Sequence, residues 1–226
     1  GKHNQNNHED GRWNDIGFGS VITQVFRHGK EFVVLKGISV RLSGSPVSKL
    51  SHLLDLLTLS YRAIWQDGFI EFHPFRWGSS RNAHLKGKPW FTDNDATPSN
   101  GKYLGYYRHG DAIVFYYEVD GVEILDLPSA TADEGFVRTL EFLKGSKAPI
   151  SLLLGSLPDD LNVTITGTGA SVDESSVNIA PQQAGAIIQL QISQGEASRV
   201  IPNKPSQLIK GGETRWPQRF NMPGQL

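Results

Sequence analysis

The sequence contains no cysteine and no long hydrophobic run. Without cysteine, the chain can form no disulfide, thiol nucleophile, zinc knuckle or iron–sulfur cluster, and it cannot attach haem through a Cys-x-x-Cys-His motif. A membrane-spanning helix needs about 18 consecutive apolar residues, so the sequence predicts no membrane span. Any chemistry of this chain must therefore come from histidines, carboxylates, hydroxyls or a partner.

The sequence also lacks a strong excess of charge of either sign. Its 22 Lys and Arg residues nearly balance its 23 Asp and Glu residues, which gives a formal net charge of −1. A near-neutral chain has no general attraction for nucleic acid, so we expect no nucleic-acid partner. Basic residues dominate between Arg12 and Arg108 and acidic residues between Glu118 and Glu174. This zoning can mark docking surfaces, but solvated strand faces are its more common cause.

A sustained helical period is absent, whereas alternation of apolar and polar residues recurs along the chain. The alternation is clear in Lys36–Leu42 and again in Ile113–Val119. Such a period of two predicts half-buried β-strands. The segment Leu53–Leu57 has two interpretations, since it could begin a short helix or belong to a strand. Asp67-Gly68 predicts a tight hairpin turn between the strand that follows Leu57 and a strand at Phe69–Phe72.

Residues 103–127 predict a three-stranded meander, because turn sequences interrupt the apolar runs twice. The first interruption is Arg108-His109-Gly110-Asp111 and the second is Asp120-Gly121. Glycine adopts the positive φ that tight turns require. We therefore assign His109, Gly110 and Asp111 a structural role in the first hairpin.

Many short strands at close spacing predict an all-β fold, a two-sheet antiparallel β-sandwich of jelly-roll-like type. We expect the sandwich to occupy residues 12–198. The polar residues 1–11 predict a flexible N-terminal arm. Residues 199–226 contain four prolines and paired glycines, which predict an extended linker or strap that packs along the sandwich or reaches a neighbouring chain.

Aromatic residues are concentrated between Trp65 and Tyr117. Aromatic faces stack on sugar rings and basic neighbours donate hydrogen bonds to them, so this segment is a candidate glycan-binding face. Filling of the core is the alternative role for these aromatics. The ligand-binding candidates are Trp77, Trp90, Arg76, Arg81 and Trp65.

Asp93 and Asp95 are a weak candidate for a calcium site. Their alternate spacing begins a calcium-binding loop, but Pro98 and Leu104 stand where that loop needs glycine and glutamate. An Asx turn is the alternative interpretation. Glu118, Glu123 and Asp126 could supply the two carboxylates of a glycosidase, whose separation a sequence cannot give. We assign no catalytic residue and expect no cofactor in this chain, with calcium only as the weak candidate named above.

In the order of several of its motifs, the sequence resembles the N-terminal uncharacterised β-domain of large secreted cytochrome-c-type and dehydrogenase-type proteins, of the planctomycete and verrucomicrobial type. The similarity spans nearly the whole chain, and its sharpest motif is the hairpin at Tyr107–Asp111. The other segments that carry it are Trp13–Gly19, Lys36–Leu42, Asp55–Gly68, Val114–Glu118, Gly121–Leu125 and Arg215–Gly224.

The resemblance implies an exported accessory domain that precedes a dehydrogenase region and a haem-bearing module in its relatives. Haem ligation and electron transfer do not carry over, because this chain has no cysteine. We therefore expect a non-catalytic binding or assembly module of an exported oxidoreductase or cytochrome-type complex, periplasmic or extracellular, with its signal peptide removed. Its partner would be another protein or a further domain of the same polypeptide. A carbohydrate-binding or glycan-processing domain is the alternative.

Overall fold

The structure is a computed structural model, and it describes residues 19–42, 50–72, 74–75, 78–79, 82–94, 97–133, 135–173, 175–196, 198, 201 and 203–209. The predicted flexible arm, residues 1–11, lies outside the described residues. Of the predicted strap, residues 201 and 203–209 are described.

The described chain is almost entirely β-structure, with one short helix near its end. The strands run from Val21 to Ser193, within the span predicted for the sandwich. They are β1 Val21–His28, β2 Phe32–Arg41, β3 Ser51–Asp55, β4 Ser60–Gln66, β5 Ile70–Glu71, β6 Pro74–Phe75, β7 Gly78–Ser79, β8 Ala83–Leu85, β9 Lys88–Thr92, β10 Gly101–His109, β11 Ala112–Val119, β12 Val122–Ala130, β13 Phe136–Phe142, β14 Ile150–Leu153, β15 Asn162–Thr166, β16 Ala170–Asp173, β17 Ser176–Ile179 and β18 Ile187–Ser193, and the helix is α1 Pro205–Ile209.

The strands form two large sheets and two small ones. The seven-stranded sheet has the order β5-β8-β1-β2-β3-β4-β9, and the six-stranded sheet has the order β10-β11-β12-β13-β18-β15. All described pairings are antiparallel except that of β1 with β8. The small sheets are β14-β17-β16 and β6-β7. The predicted all-β, antiparallel, sandwich-like fold is confirmed. Its connections differ from those of a jelly roll, because each large sheet contains a meander where a jelly roll has Greek-key connections.

Turn residues with positive φ close the hairpins of these meanders. Gly29 follows β1 with φ 59°, and Gly110 follows β10 with φ 62°. Asp120 and Gly121, between β11 and β12, have φ 50° and 79°. Two consecutive residues of positive φ define the type I′ turn, whose twist matches that of the flanking strands. The local sequence therefore specifies the meander from β10 to β12.

The main core lies between the two large sheets. Alternate residues of β2 and β3 meet alternate residues of β11, β12 and β13 there, and the inward faces of the sheet β14-β17-β16 extend the same cluster. The predicted common face of Ile113, Phe115, Tyr117 and Val119 is buried in this core. A second cluster, with Phe26, Leu53 and Trp65 among its members, covers the other face of the seven-stranded sheet.

Two local predictions differ from the structure, and one segment that the sequence left open is now placed. Leu53 lies in strand β3 rather than in a helix, and residues 56–59 form a turn. The predicted hairpin at Asp67-Gly68 is wrong, because β5 pairs with β8 while β4 pairs with β3 and β9. The strap is not extended throughout, because Pro205–Ile209 forms helix α1. Proline suits the first helical position, since the N–H that it lacks would have no partner there.

Helix α1 packs on the outer face of the six-stranded sheet. Leu208 and Ile209 contact a third apolar cluster made by Val114, Leu125 and Leu127. Ser206 is fixed to β13, because its backbone N and its Oγ both donate hydrogen bonds of 2.7 Å to the carboxylate of Glu141. Over the described ranges, no helix is long and apolar enough to cross a membrane.

Candidate functional site

The two predicted ligand-binding tryptophans that the structure describes are buried. Trp65 on β4 has no exposed surface, and its Nε1 donates a hydrogen bond to the carbonyl oxygen of Phe69 at 3.0 Å. Trp90 on β9 is 9% exposed, and its Nε1 donates to Gln66 Oε1 at 3.0 Å. A sugar ring stacks on an open aromatic face. Trp65 and Trp90 therefore fill the core and are not available to a glycan-binding face.

The remaining members of the predicted glycan-binding face are not placed. Trp77, Arg76 and Arg81 lie outside the described residues.

The weak calcium candidate is described only at Asp93, because Asp95 lies outside the described residues. Asp93 is buried at the end of β9, and its backbone carbonyl oxygen accepts a hydrogen bond from Arg62 Nε at 2.7 Å. Its backbone N donates to the carbonyl oxygen of Arg62 at 2.8 Å. Within the described ranges, no three His, Asp or Glu side chains come together as a metal site would require.

The hairpin residues His109, Gly110 and Asp111 connect β10 to β11. His109 pairs with Ala112, so Gly110 and Asp111 form a two-residue turn. Arg108 Nε donates a hydrogen bond to the carbonyl oxygen of Gly110 at 3.1 Å. These contacts close the end of the hairpin and leave His109 partly exposed.

The three carboxylates considered for glycoside hydrolysis are divided between two faces of the six-stranded sheet. Glu118 and Glu123 lie directly opposite each other on β11 and β12. Asp126 lies three residues after Glu123 and therefore faces the core, where it pairs with Phe115. Two carboxylates that act on one glycosidic bond must face the same space, so Asp126 does not combine with either glutamate.

Glu123 is held in its ionised form by two neighbours. The ammonium group of Lys144 and the hydroxyl of Tyr116 both donate hydrogen bonds to its carboxylate. The hydrogen bond from Lys144, then that from Tyr116, lowers the pKa of Glu123. The same contact raises the pKa of Tyr116 to about 12. A general acid needs a raised carboxyl pKa, so Glu123 lacks the property that this role requires.

Five polar side chains form a buried cluster between the two large sheets. His52 on β3 and Tyr61 on β4 come from the seven-stranded sheet, and Tyr117 on β11, Asp126 on β12 and Arg138 on β13 come from the six-stranded sheet. All five side chains are buried. We refer to these five residues as the inter-sheet polar cluster.

Asp126, Arg138 and Tyr117 form a closed triangle of hydrogen bonds within this cluster. Arg138 Nε donates to Asp126 Oδ2 at 2.7 Å, and its Nη2 donates to the Tyr117 hydroxyl at 2.9 Å. The Tyr117 hydroxyl donates in turn to Asp126 Oδ2 at 3.0 Å. The guanidinium carbon of Arg138 lies 4.8 Å from the ring centroid of Tyr61, which is a cation–π contact across the two sheets.

The protonation states of the triangle follow from burial and from this pairing. Burial raises the pKa of Asp126, although Arg138 opposes the rise. Burial lowers the pKa of Arg138, but Asp126 and the two tyrosines outweigh this effect and raise it overall. Burial also raises the pKa of Tyr117, so that its hydroxyl stays protonated. Arg138 is therefore charged and fixed rather than available for proton transfer.

His52 is a buried neutral imidazole surrounded by rings. Its ring centroid lies 4.9 Å from that of Tyr61, 5.9 Å from Phe115 and 5.7 Å from Phe136. Neither ring nitrogen has a hydrogen-bond partner among the described residues. Burial, with a smaller contribution from Arg138, lowers the pKa of His52 to about 3. A histidine that stays neutral at physiological pH and is sealed from solvent serves as core packing, not as a general base.

A second buried ion pair lies within the seven-stranded sheet. Arg62 Nη1 donates a hydrogen bond to Asp55 Oδ2 at 2.9 Å, and both side chains are almost fully buried. Asp55 Oδ1 accepts a further hydrogen bond from the backbone N of Leu57 at 2.9 Å. Arg62 thus links β4, β3 and the end of β9 through Asp55 and Asp93. These groups stabilise the sheet and are inaccessible to a substrate.

Sequence reasoning singled out Asp126 but missed His52 and Arg138. Their signal was an ionisable residue at a core-facing position of a strand: Arg138 stands between Phe136 and Leu140, which are both buried. A catalytic or ligand site needs a concave surface open to a substrate. The inter-sheet polar cluster lacks this access, so it supports the fold and offers no route to turnover.

The exposed apolar surface is concentrated on β10, at one edge of the six-stranded sheet. Leu104, Tyr106 and Tyr107 are 38%, 45% and 43% exposed, and we refer to these three residues as the β10 patch. The ring of Tyr107 lies 6.3 Å from that of Tyr116 on the neighbouring strand. No described strand pairs with the outer side of β10. The β10 patch is therefore the candidate functional surface of the described chain.

Comparison with known proteins gave no match among family models, curated proteins or solved structures. The resemblance to the N-terminal β-domain of secreted cytochrome-type proteins therefore stays a prediction.

Proposed function

We propose that this chain is a non-catalytic binding or assembly module of an exported oxidoreductase or cytochrome-type complex. The observation that carries the proposal is the placement of polar and apolar groups. An ionisable cluster whose pKa values are shifted by burial is sealed between the sheets, whereas apolar and aromatic side chains are exposed on β10.

The β10 patch has the composition of a protein-binding surface. Tyrosine is enriched at protein interfaces because it presents a large rigid face and a polar tip. The basic side chains of Lys102 and Arg108 flank the patch and are exposed. Strand β10 contains no acidic residue. Tyr106 and Tyr107 are consecutive strand residues and point to opposite faces of the sheet, so the β10 patch is an exposed sheet edge.

The choice of an exported redox complex rests on the sequence resemblance alone. In such a complex this chain would hold no covalently attached haem, since it has no cysteine. Its contribution would be to hold a redox protein or a further domain of its own polypeptide in place.

Site-specific photo-crosslinking tests this function. A benzophenone amino acid would replace Tyr107 in the β10 patch, and in a matched control it would replace Leu35, which is 63% exposed on β2. The host fraction that contains the protein would be irradiated, and the products analysed by mass spectrometry and by haem or flavin absorbance. We expect a product with a haem or flavin protein from position 107 and none from position 35.

The result that overturns the redox-partner proposal is the absence of such a product at position 107, or equal products at both positions. Localisation of the protein to the cytoplasm of its host would separately overturn the proposed export.

Carbohydrate binding remains the second candidate, because Tyr106 and Tyr107 are exposed beside Arg108. Aromatic faces with a neighbouring cation can stack on sugars. Titration with polysaccharides, followed by tryptophan and tyrosine fluorescence, should give a saturable change only under this alternative. Loss of that change in Tyr107→Ala, but not in Leu35→Ala, would place the sugar on the β10 patch.

A further inference from the structure

Buried polar atoms without a hydrogen-bond partner are concentrated in the inter-sheet polar cluster. Over the described ranges, seven buried side-chain nitrogen and oxygen atoms lack a partner, and four of them belong to this cluster. The four are the Tyr61 hydroxyl, Asp126 Oδ1 and the two ring nitrogens of His52. Buried polar atoms are nearly always hydrogen-bonded to protein or to ordered water, because an unpaired one is costly. The cluster therefore needs a further hydrogen-bonding group.

The Tyr61 hydroxyl and the Asp126 carboxylate are close together but do not bond directly. Tyr61 comes from β4 of one large sheet and Asp126 from β12 of the other. Burial first, and then the charge of Asp126, raises the pKa of Tyr61, so its hydroxyl stays protonated and can donate. Neither this hydroxyl nor Asp126 Oδ1 has a direct partner. Two polar groups in this relation are commonly bridged by a water molecule.

The pairing of Asp126 leaves one of its oxygens for such a bridge. Its Oδ2 accepts hydrogen bonds from Arg138 Nε at 2.7 Å and from the Tyr117 hydroxyl at 3.0 Å. Each carboxylate oxygen can accept hydrogen bonds, so Oδ1 is the acceptor that still needs a donor. A ligand between Tyr61 and Asp126 must accept one hydrogen bond and donate another. Water does both, and both side chains are too deeply buried to meet a larger molecule.

His52 can supply the third partner of this water. Its ring centroid lies 4.9 Å from that of Tyr61. A neutral imidazole has one N–H donor and one nitrogen that accepts. The acceptor nitrogen would receive the second hydrogen of the water, while the N–H would meet the surrounding rings of Phe115 and Phe136 in a weak hydrogen bond. Three hydrogen bonds are typical of a buried water.

We propose that one water molecule is bound between the two large sheets by Tyr61, Asp126 and His52. It accepts a hydrogen bond from the Tyr61 hydroxyl and donates to Asp126 Oδ1 and to one ring nitrogen of His52. The water thereby joins strands β3 and β4 of one sheet to β12 of the other. This inference concerns the sealed core and does not rest on the binding function proposed for the β10 patch.

Magnetic relaxation dispersion of water oxygen-17 tests the inference on the full chain, because it counts the water molecules that stay bound for longer than the protein tumbles. Tyr61→Phe keeps the ring and removes the donor. Tyr103→Phe is the matched control, since Tyr103 packs against the same core but lies outside the cluster. We expect the wild type and Tyr103→Phe to hold equal numbers of long-lived waters and Tyr61→Phe to hold one fewer. Thermal melting confirms that each variant is folded.

Nuclear magnetic resonance of the wild type keeps the inference testable if Tyr61→Phe fails to fold. We expect Overhauser contacts between a water signal and the ring protons of Tyr61 and His52, and nitrogen-15 shifts of a neutral His52 whose unprotonated nitrogen is hydrogen-bonded. An equal number of long-lived waters in the wild type and Tyr61→Phe would overturn the inference. So would the absence of water contacts to both rings, or a crystal structure in which Tyr61 donates directly to Asp126. Each of these results leaves the crosslinking test of the β10 patch unaffected.

Discussion

Arg62 and Arg138 are both almost completely buried, and each is paired with an aspartate of the adjacent strand. A buried charge without a partner is far more costly than the same charge in water, so pairing is the condition for its burial. Arg138 also contacts the ring of Tyr61 across the core, which joins the two sheets through a polar contact as well as through apolar packing. Single substitutions in these pairs should therefore affect stability strongly.

Replacing Arg138 by methionine should leave Asp126 as an uncompensated buried carboxylate. We expect Arg138→Met to lower the free energy of unfolding by about 3–5 kcal/mol, measured by urea denaturation. The double variant Arg138→Met/Asp126→Leu removes both charges and should recover much of the loss. Equal stability of the single and double variants would show that the ion pair is not the cause.

His52 should make the protein less stable as the pH falls. Its folded-state pKa of about 3 lies below the ordinary value of 6.5, so between these values the unfolded chain binds a proton that the folded chain excludes. The contribution of neutral His52 to the free energy of unfolding is fully present above pH 6.5. It is lost as the pH falls towards 3, with a slope of up to about 1.4 kcal/mol per pH unit. In His52→Leu, the free energy of unfolding measured between pH 4 and 7 should vary less steeply. An unchanged slope would mean that other groups govern the acid response.

At the scale of single elements, local sequence predicted the strands well and their pairing less well. The strand predicted from the alternation in Ile113–Val119 is β11, and the turn at Asp120-Gly121 lies where its dipeptide indicates. The hairpin predicted at Asp67-Gly68 is wrong, because β5 pairs with β8 and not with β4. That pairing depends on residues distant in sequence. Helix α1 was missed since five residues carry no usable helical period.

The attachment of α1 depends on Glu141, which accepts both hydrogen bonds of Ser206. We expect Glu141→Gln to loosen α1, because a neutral amide replaces a charged acceptor and charge-assisted bonds are the stronger ones. Limited digestion with a protease of broad specificity should then cut faster within residues 203–209. Glu196→Gln, at an exposed position, is the control and should leave the rate unchanged. Equal digestion of the wild type and Glu141→Gln would assign the attachment to Leu208 and Ile209 alone.

At the scale of the whole molecule, the protection of sheet edges decides how the chain meets other chains. Pro89 stands on the edge strand β9 of the seven-stranded sheet, where it lacks the N–H that a pairing strand would use.

Removing the proline from edge strand β9 should allow copies of the chain to associate through that edge. We expect Pro89→Thr to produce species larger than those of the wild type as concentration rises, because threonine supplies an N–H and favours strands. Light scattering and sedimentation measure this change. Lys88→Thr, which removes a charge but adds no N–H, is the matched control. Identical behaviour of Pro89→Thr and the wild type would show that β9 is blocked by other means.

The sequence by itself determined the fold class, because the period of two and the Gly and Asp turn residues act over a few neighbouring positions. The absence of cysteine likewise determined which cofactors the chain cannot attach, since that depends on composition and not on the fold. Only the tertiary structure decided that Trp65 and Trp90 fill the core, that Arg138 pairs with Asp126 between the sheets, and that β10 is a long edge strand with exposed aromatic side chains. Burial, ion pairing and edge exposure depend on which distant strands come together, and no local pattern in the chain records that.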